Sequence, residues 1–403
     1  PKTSHRDLLV YYCQSSNKPF NFDWENVSTE NIYWFMKKNI PFYRYKHLYN
    51  LHGKKIIKIV DKVARAGRYI MQKELSDFEK NFAKFTNSKY CIGVSNATDG
   101  LQMLLIAAGI KKNDEVLLSM HTMIATASAV YFTGAKPVLL DIKEDDYLID
   151  EKKIEKKITY KTKAIIVTQL NGRIANMEVI LKIANKYKLK VFEDSAQALG
   201  AYYKNYHSGT FGYGGCFSFY PAKILGCLGD GGAVITNNKS IYKKILALRD
   251  HGRYENDISI WGFNARLDNI EAATLDYLLK KVPGFIKKRR SLARIYNREL
   301  KSVRQLKLPP EPKINSNNFD SYQNYEIYAV NSDKLCKYLK ANNVGTLRQW
   351  GGKSLNNFKK LKMGKVDNKS NKIFKDLVML PMNISVSQSE VIHISNLIKK
   401  FYG

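Results

Sequence analysis

The chain reads as an α/β protein: a mostly parallel sheet with helices on both faces, followed by a smaller C-terminal α+β domain. Three observations lead there. Between about residues 89 and 236, short apolar runs alternate with polar or amphipathic stretches, the signature of β-α-β units around a parallel sheet. Two of the intervening stretches, Leu101–Ala108 and Met177–Tyr187, carry helical spacing. After residue 236 the pattern turns largely helical, and 403 residues with 44% hydrophobic content suffice for a large core and two domains.

Taken in order, Leu75, Phe78, Phe82 and Phe85 recur at intervals of three and four and predict a helix leading into the first strand. The apolar runs are Tyr90–Val94, Glu115–Leu118, Pro137–Leu140, Ala164–Val167, Val191–Glu193, Cys216–Phe219 and Ala233–Thr236, which predicts a seven-stranded sheet. The gap between Phe219 and Ala233 has no helical period and hints at one antiparallel strand. Lys239–Arg249 reads as a helix stopped at His251-Gly252. A basic helix around Ile286–Val303 then leads to a domain with strands at Tyr325–Val330 and Gly345–Leu347 and a last helix at Ser387–Phe401. The expected division is an N-terminal extension over residues 1–40, a large domain over 41–285 and a small domain over 286–403.

Sixty-six basic against 36 acidic residues leave a formal charge of +30. Phosphate backbones attract such chains, yet the basic residues are spread in short pairs such as Lys111-Lys112 and Lys359-Lys360, with no nucleic-acid module. A nucleic-acid-binding protein is therefore the weaker alternative, and an anionic small substrate is favoured instead. No apolar run is long enough to cross a bilayer, and residues 1–7 lack the apolar core of a secretory signal. The five cysteines are scattered, without metal-ligand spacing or a disulfide framework. The expectation is a cytoplasmic protein with no membrane partner and no metal.

Four segments carry chemistry. In Gly215-Cys-Phe-Ser-Phe-Tyr-Pro-Ala-Lys-Ile-Leu-Gly-Cys-Leu-Gly-Asp-Gly-Gly232, Lys223 lies between an apolar strand and a glycine-rich turn. A partly desolvated amine there can form a Schiff base with an aldehyde. In Gly93-Val-Ser-Asn-Ala-Thr-Asp-Gly-Leu101, small residues run straight into a helix; that is either a phosphate seat or an ordinary helix start capped by Asn96 or Thr98. In Val191-Phe-Glu-Asp-Ser-Ala-Gln-Ala-Leu-Gly200, Asp194 ends a strand and can either cap a helix or pair with a protonated pyridine nitrogen. Trp261-Gly-Phe-Asn-Ala-Arg-Leu-Asp268 is a polar loop in a helical region.

Together these segments resemble the pyridoxal-phosphate-dependent sugar-nucleotide aminotransferases, the DegT/DnrJ/StrS group of fold-type I aminotransferases. The resemblance runs from about Pro41 to the C-terminus and includes Phe78-Glu79, Thr122…Ala125-Thr126, Gly134-Ala-Lys-Pro-Val138, Glu193-Asp-Ser-Ala-Gln197, Phe217-Ser-Phe…Lys223, Gly229-Asp-Gly-Gly232, Asn264-Ala-Arg266 and Leu380-Pro-Met382. It implies pyridoxal 5'-phosphate as cofactor, with Lys223 as the catalytic Schiff-base lysine. Asp194 would hold the pyridine nitrogen, Gln197 would lie near the phenolic oxygen, and Ala97, Thr98 and Ser218 would bind the phosphate. Met123 stands where relatives carry a ring-stacking aromatic, with His121 two residues earlier as the other candidate for that cover. Asn264 would reach the phosphate from the neighbouring subunit of a homodimer with shared active sites.

The implied reaction moves an amino group from L-glutamate to the 3- or 4-keto group of a nucleotide-diphosphate-linked 6-deoxyhexose, making an amino sugar for glycan biosynthesis. The alternative within the fold is a nucleotide-sugar dehydratase, in which histidine replaces the lysine; Lys223 favours amine transfer. The chain departs from its relatives at Ala97, where most carry glycine, and at Met123. It departs again at Arg348-Gln-Trp-Gly-Gly-Lys353 and Asn356, where many relatives carry a histidine-tyrosine-proline segment and then a second histidine.

Overall fold

The strands β1 (Tyr90–Val94), β2 (Glu115–Ser119), β3 (Lys136–Leu140), β4 (Thr162–Thr168), β5 (Lys190–Asp194), β6 (Gly214–Ser218) and β7 (Gly232–Thr236) form one sheet. This is a computed structural model, describing residues 39–403 apart from 256, 314–315, 364–365 and 367–372. The expected extension over 1–40 therefore lies outside the described residues except at its end, where Ile40 is buried and bridges Val344.

The strand order is β1-β7-β6-β5-β4-β2-β3. Neighbours from β6 through β3 are parallel, whereas β7 runs antiparallel to both β6 and β1. The antiparallel strand follows from the residues between β6 and β7. They form turns instead of a crossover helix, so the chain re-enters the sheet beside the strand it has left. β2 is buried at every position and β4 at all but Lys163. Helices cover both faces, so the strands read as unbroken apolar runs.

The covering helices are α1 (Lys46–Arg65), α2 (Lys73–Thr86), α3 (Ala97–Ala107), α4 (Ile124–Tyr131), α5 (Met177–Lys186), α6 (Lys239–Arg249) and α7 (Asn269–Leu279). α2 buries Leu75, Phe78 and Phe82 and ends at Asn87, whose φ of 55° is the left-handed stop. Its Glu79 accepts from Gly93 N (2.8 Å), while Arg249 of α6 donates to Gly93 O (2.9 Å) and to Glu79 itself. Both backbone groups of Gly93 in β1 are thus held by one ion pair.

α8 (Val282–Leu300) leads to a second antiparallel sheet of β8 (Leu306–Lys307), β9 (Tyr325–Ala329) and β10 (Leu377–Leu380), with α9 (Ser332–Ala341) and α10 (Gln388–Tyr402) against it. Its core gathers Leu292, Tyr296, Tyr325, Ile327, Leu335, Val378 and Ile394. α10 starts with a capping box between Ser387 and Glu390.

The strand predicted at Gly345–Leu347 does not form. Val344 and Leu347 make single bridges to Ile40 and Met379, and Gly345 lies so close to Phe42 that a Cβ would stand 2.8 Å from its amide nitrogen. The chain crosses other backbone there, and β10 occupies the ladder position beside β9. The Trp261–Asp268 loop is extended: Asn264 bridges Asp250, Arg266 bridges Val94, and Asp268 caps α7 by accepting from Glu271 N at 2.8 Å. Among the described residues no helix is long and apolar enough to cross a membrane.

Candidate active site

The carboxyl ends of β4, β5 and β6 meet the starts of α3 and α4, where open α/β sheets place ligands. Asp194 is the last residue of β5, paired in register with Thr168 of β4 and Cys216 of β6. Its carboxylate is only 6% exposed. Oδ2 accepts from Thr126 Oγ1 at 2.6 Å and Oδ1 from Ala196 N at 3.2 Å.

Lys223 follows β6 in a tight turn. Its N–H donates to Tyr220 O (2.8 Å), and Gln323 clamps the turn from both sides, accepting from Ile224 N (2.9 Å) and donating to Ala222 O (2.9 Å). Burial holds the Lys223 amine below the ordinary lysine pKa, and the Asp194 carboxylate pulls it back up. An amine so placed has a larger neutral, nucleophilic fraction than a surface lysine.

The candidate phosphate seat arises from strand register. Gly232, first residue of β7, pairs with Val94 at the end of β1 on one side and Ser218 at the end of β6 on the other. Ser218 is thereby brought within about two strand spacings, roughly 10 Å, of the turn that opens α3. That turn lies directly on Gly232: a Cβ there would stand 2.6 Å from Asn96 C and 2.8 Å from Ala97 N. Asn96 caps α3 by accepting from Asp99 N (2.9 Å), and the first helical bond runs from Gly100 N to Asn96 O (3.1 Å). The amides of Ala97 and Thr98 precede that bond and are the ones a helix start offers to an anion. The cradle without a Cβ, the buried carboxylate and the partly desolvated amine fit a phosphorylated pyridine aldehyde.

Gln197 joins an amide network. Its Oε1 accepts from Asn171 N (2.8 Å) and Asn324 Nδ2 (3.4 Å), and its Nε2 donates to Gln349 Oε1 (3.0 Å). Gln349 Nε2 and Asn171 Nδ2 in turn donate to Glu326 Oε2 at 3.0 and 2.8 Å. The histidine near α4 is enclosed: His121 is 1% exposed, meets Trp350 and Phe374 edge-on, and is held by burial near a pKa of about 3. Met123, at the N-cap of α4, is 48% exposed. Asn264 is exposed, in a segment whose Ala265 accepts from Ser95 N (3.1 Å); no side-chain bond ties it to Asp194 or Lys223.

Sequence reasoning gave no role to Thr122, Thr126, Thr168, Asn171, Asn324, Gln349 or Glu326. Only the first two left a signal, two hydroxyls four residues apart at a helix start. The others arrive from distant strands and loops.

The candidate site sets a partly desolvated lysine amine against a buried carboxylate, an arrangement suited to group transfer. Residues 50–399 match the DegT/DnrJ/EryC1/StrS aminotransferase family, and the chain belongs to it. It is 38% identical, over 71% of its length and 79% of the relative's, to UDP-2-acetamido-2-deoxy-3-oxo-D-glucuronate aminotransferase of Pseudomonas aeruginosa. It is also 38% identical, over 65% and 73% of the two chains, to dTDP-3-amino-3,6-dideoxy-alpha-D-galactopyranose transaminase of Aneurinibacillus thermoaerophilus. The fold matches S. venezuelae DesV, solved in complex with a ketimine intermediate, with a TM-score of 0.86 at 28% identity, covering 91% of this chain and 99% of that one.

Proposed function

We propose that this aminotransferase uses pyridoxal 5'-phosphate to move the amino group of L-glutamate onto the 3- or 4-keto carbon of a nucleotide-diphosphate-linked 6-deoxyhexose. The observation that carries the reading is the Lys223 amine within electrostatic reach of the buried Asp194 carboxylate. When bound, the cofactor supplies an aldehyde and a ring that withdraws electrons once its nitrogen is protonated. Asp194 holds the proton on that nitrogen. The Ala97 and Thr98 amides, with the hydroxyls of Thr98 and Ser218, receive the phosphate. Gln197 would lie near the phenolic oxygen, and exposed Met123, in contrast to enclosed His121, would cover the ring.

Lys223 Nζ would hold the aldehyde and, as a free amine, would be the base that takes the proton from the α-carbon of glutamate. Asn264 contributes from a second copy of the chain, so the working unit is a homodimer. We further propose residues 41–285 and 286–403 as its large and small domains, the second supported by its own apolar core.

The test is spectroscopic and chemical. Holoenzyme given glutamate should lose its aldehyde-type absorbance, and a panel of 3- and 4-keto nucleotide sugars, uronates included, should then yield an aminated product by mass spectrometry. Lys223→Ala should lower turnover by at least about a thousandfold, the scale of losing a covalent and acid–base group together. Undiminished turnover in that variant, or no uptake of pyridoxal phosphate by the unaltered chain, overturns the reading.

A further inference from the structure

We propose that Thr126 is a positioning residue for the Asp194 carboxylate, the last member of a buried hydroxyl relay from Thr168 through Thr122 to Thr126. The proposal rests on the cofactor reading above and deepens it.

The relay spans three elements. Thr168 Oγ1, at the end of β4, lies 2.8 Å from Thr122 Oγ1 just before α4; Thr122 Oγ1 lies 2.7 Å from Thr126 Oγ1 on α4; and Thr126 Oγ1 lies 2.6 Å from Asp194 Oδ2. Thr168 and Asp194 are 6% exposed, Thr122 1% and Thr126 0%. Each hydroxyl has one proton, and an ionised carboxylate accepts only, so Thr126 spends its proton on Asp194. Thr126 must then accept from Thr122, and Thr122 from Thr168. Every proton points toward Asp194, and the chain has a single arrangement.

Ordinary satisfaction of a buried hydroxyl looks different in this same protein. Thr86 on α2 and Thr274 on α7 donate back to carbonyls of the preceding turn, Phe82 O and Ala83 O for the first and Ile270 O for the second. Thr126 is also helical and fully buried, yet its hydroxyl leaves the helix for a carboxylate on β5. Aligned bonds of this kind polarise one another, and bonds to an ionised acceptor are the stronger class. Thr126 fixes Oδ2 while Ala196 N fixes Oδ1, so the carboxylate plane is set before any ring nitrogen meets it. Among the described residues, the Lys223 amine and the buried Cys216 thiol also face Asp194 electrostatically.

The experiment compares holoenzyme of the wild type, Thr126→Val, Thr126→Ser and Thr168→Val. It measures pyridoxal phosphate dissociation, the bound absorption band, and kcat and KM for the glutamate half-reaction. Losing one charge-assisted bond should weaken cofactor affinity and lower kcat by about tenfold or more in Thr126→Val, with KM for glutamate changed by less than about twofold. Thr126→Ser should restore both, and Thr168→Val should show the same changes in weaker form. A Thr126→Val protein with wild-type affinity, band and kcat overturns the relay. If that variant does not fold, Thr168→Val decides, and wild-type values there overturn it equally. Equal cofactor affinity, band and kcat in wild type and variants sinks the relay alone, whereas a wild type that takes up no pyridoxal phosphate sinks the cofactor reading and the relay with it.

Discussion

Glu326 has one oxygen engaged and the other idle. Oε2 accepts from Asn171 and Gln349, while Oε1 is buried without a partner. Burial raises its pKa from the usual 4.5 to about 7, against the two amide donors that favour the anion. The folded chain therefore keeps a proton that the unfolded chain releases, and stability falls as pH climbs from about 4.5 to about 7, with the full penalty above that. His121, 4.0 Å away, is neutral throughout that window and offers no compensation. Urea titrations at pH 5 and pH 8 should show the wild type losing on the order of 3 kcal/mol relative to Glu326→Gln; parallel pH profiles would refute this. Through Gln349 the same carboxyl group orients the Gln197 amide, so the variant should also alter the absorbance of the bound cofactor.

At the level of elements, the meeting of β7 with the start of α3 is the most exacting contact at the site. Gly232→Ala would drive a methyl carbon into the Asn96–Ala97 backbone, which cannot yield as a side chain end can. The expected cost is about 1 to 3 kcal/mol of stability, together with a loss of pyridoxal phosphate affinity that Gly284→Ala, in open space on α8, should not produce. Equal behaviour of the two variants in melting and cofactor titration would contradict this. The seven strands were legible because a doubly covered strand must be apolar throughout; Asp194 stood out as a candidate because it ends such a run, and Lys223 because it lies between one and a glycine-rich turn. Gly345–Leu347 misled because local β-propensity does not reveal a chain crossing other backbone. Thr168, Gln349 and Glu326 were invisible for a related reason. Each contributes one to three hydrogen bonds across 23 to 178 residues of sequence, and no period or local motif encodes such a partnership.

For the whole molecule, the question is whether one chain suffices. Asn264 is exposed, and among the described residues no side-chain bond ties it to Asp194 or Lys223, which suits a residue meant for a neighbour. Co-expressed Lys223→Ala and Asn264→Ala chains should form hybrids with one intact site each, so activity should exceed that of either variant alone. If each chain completed its own site, mixing would restore nothing. The clamp on Gly93 bears on association of another kind. β1 borders the main sheet, and a bordering strand ordinarily presents free amides and carbonyls to which a stranger's backbone can bond. Here a carboxylate and a guanidinium occupy those positions at the very point where the strand gives way to the phosphate turn. The Gly93 backbone is therefore closed to a second chain's edge, and removing either charged partner would open it to such pairing.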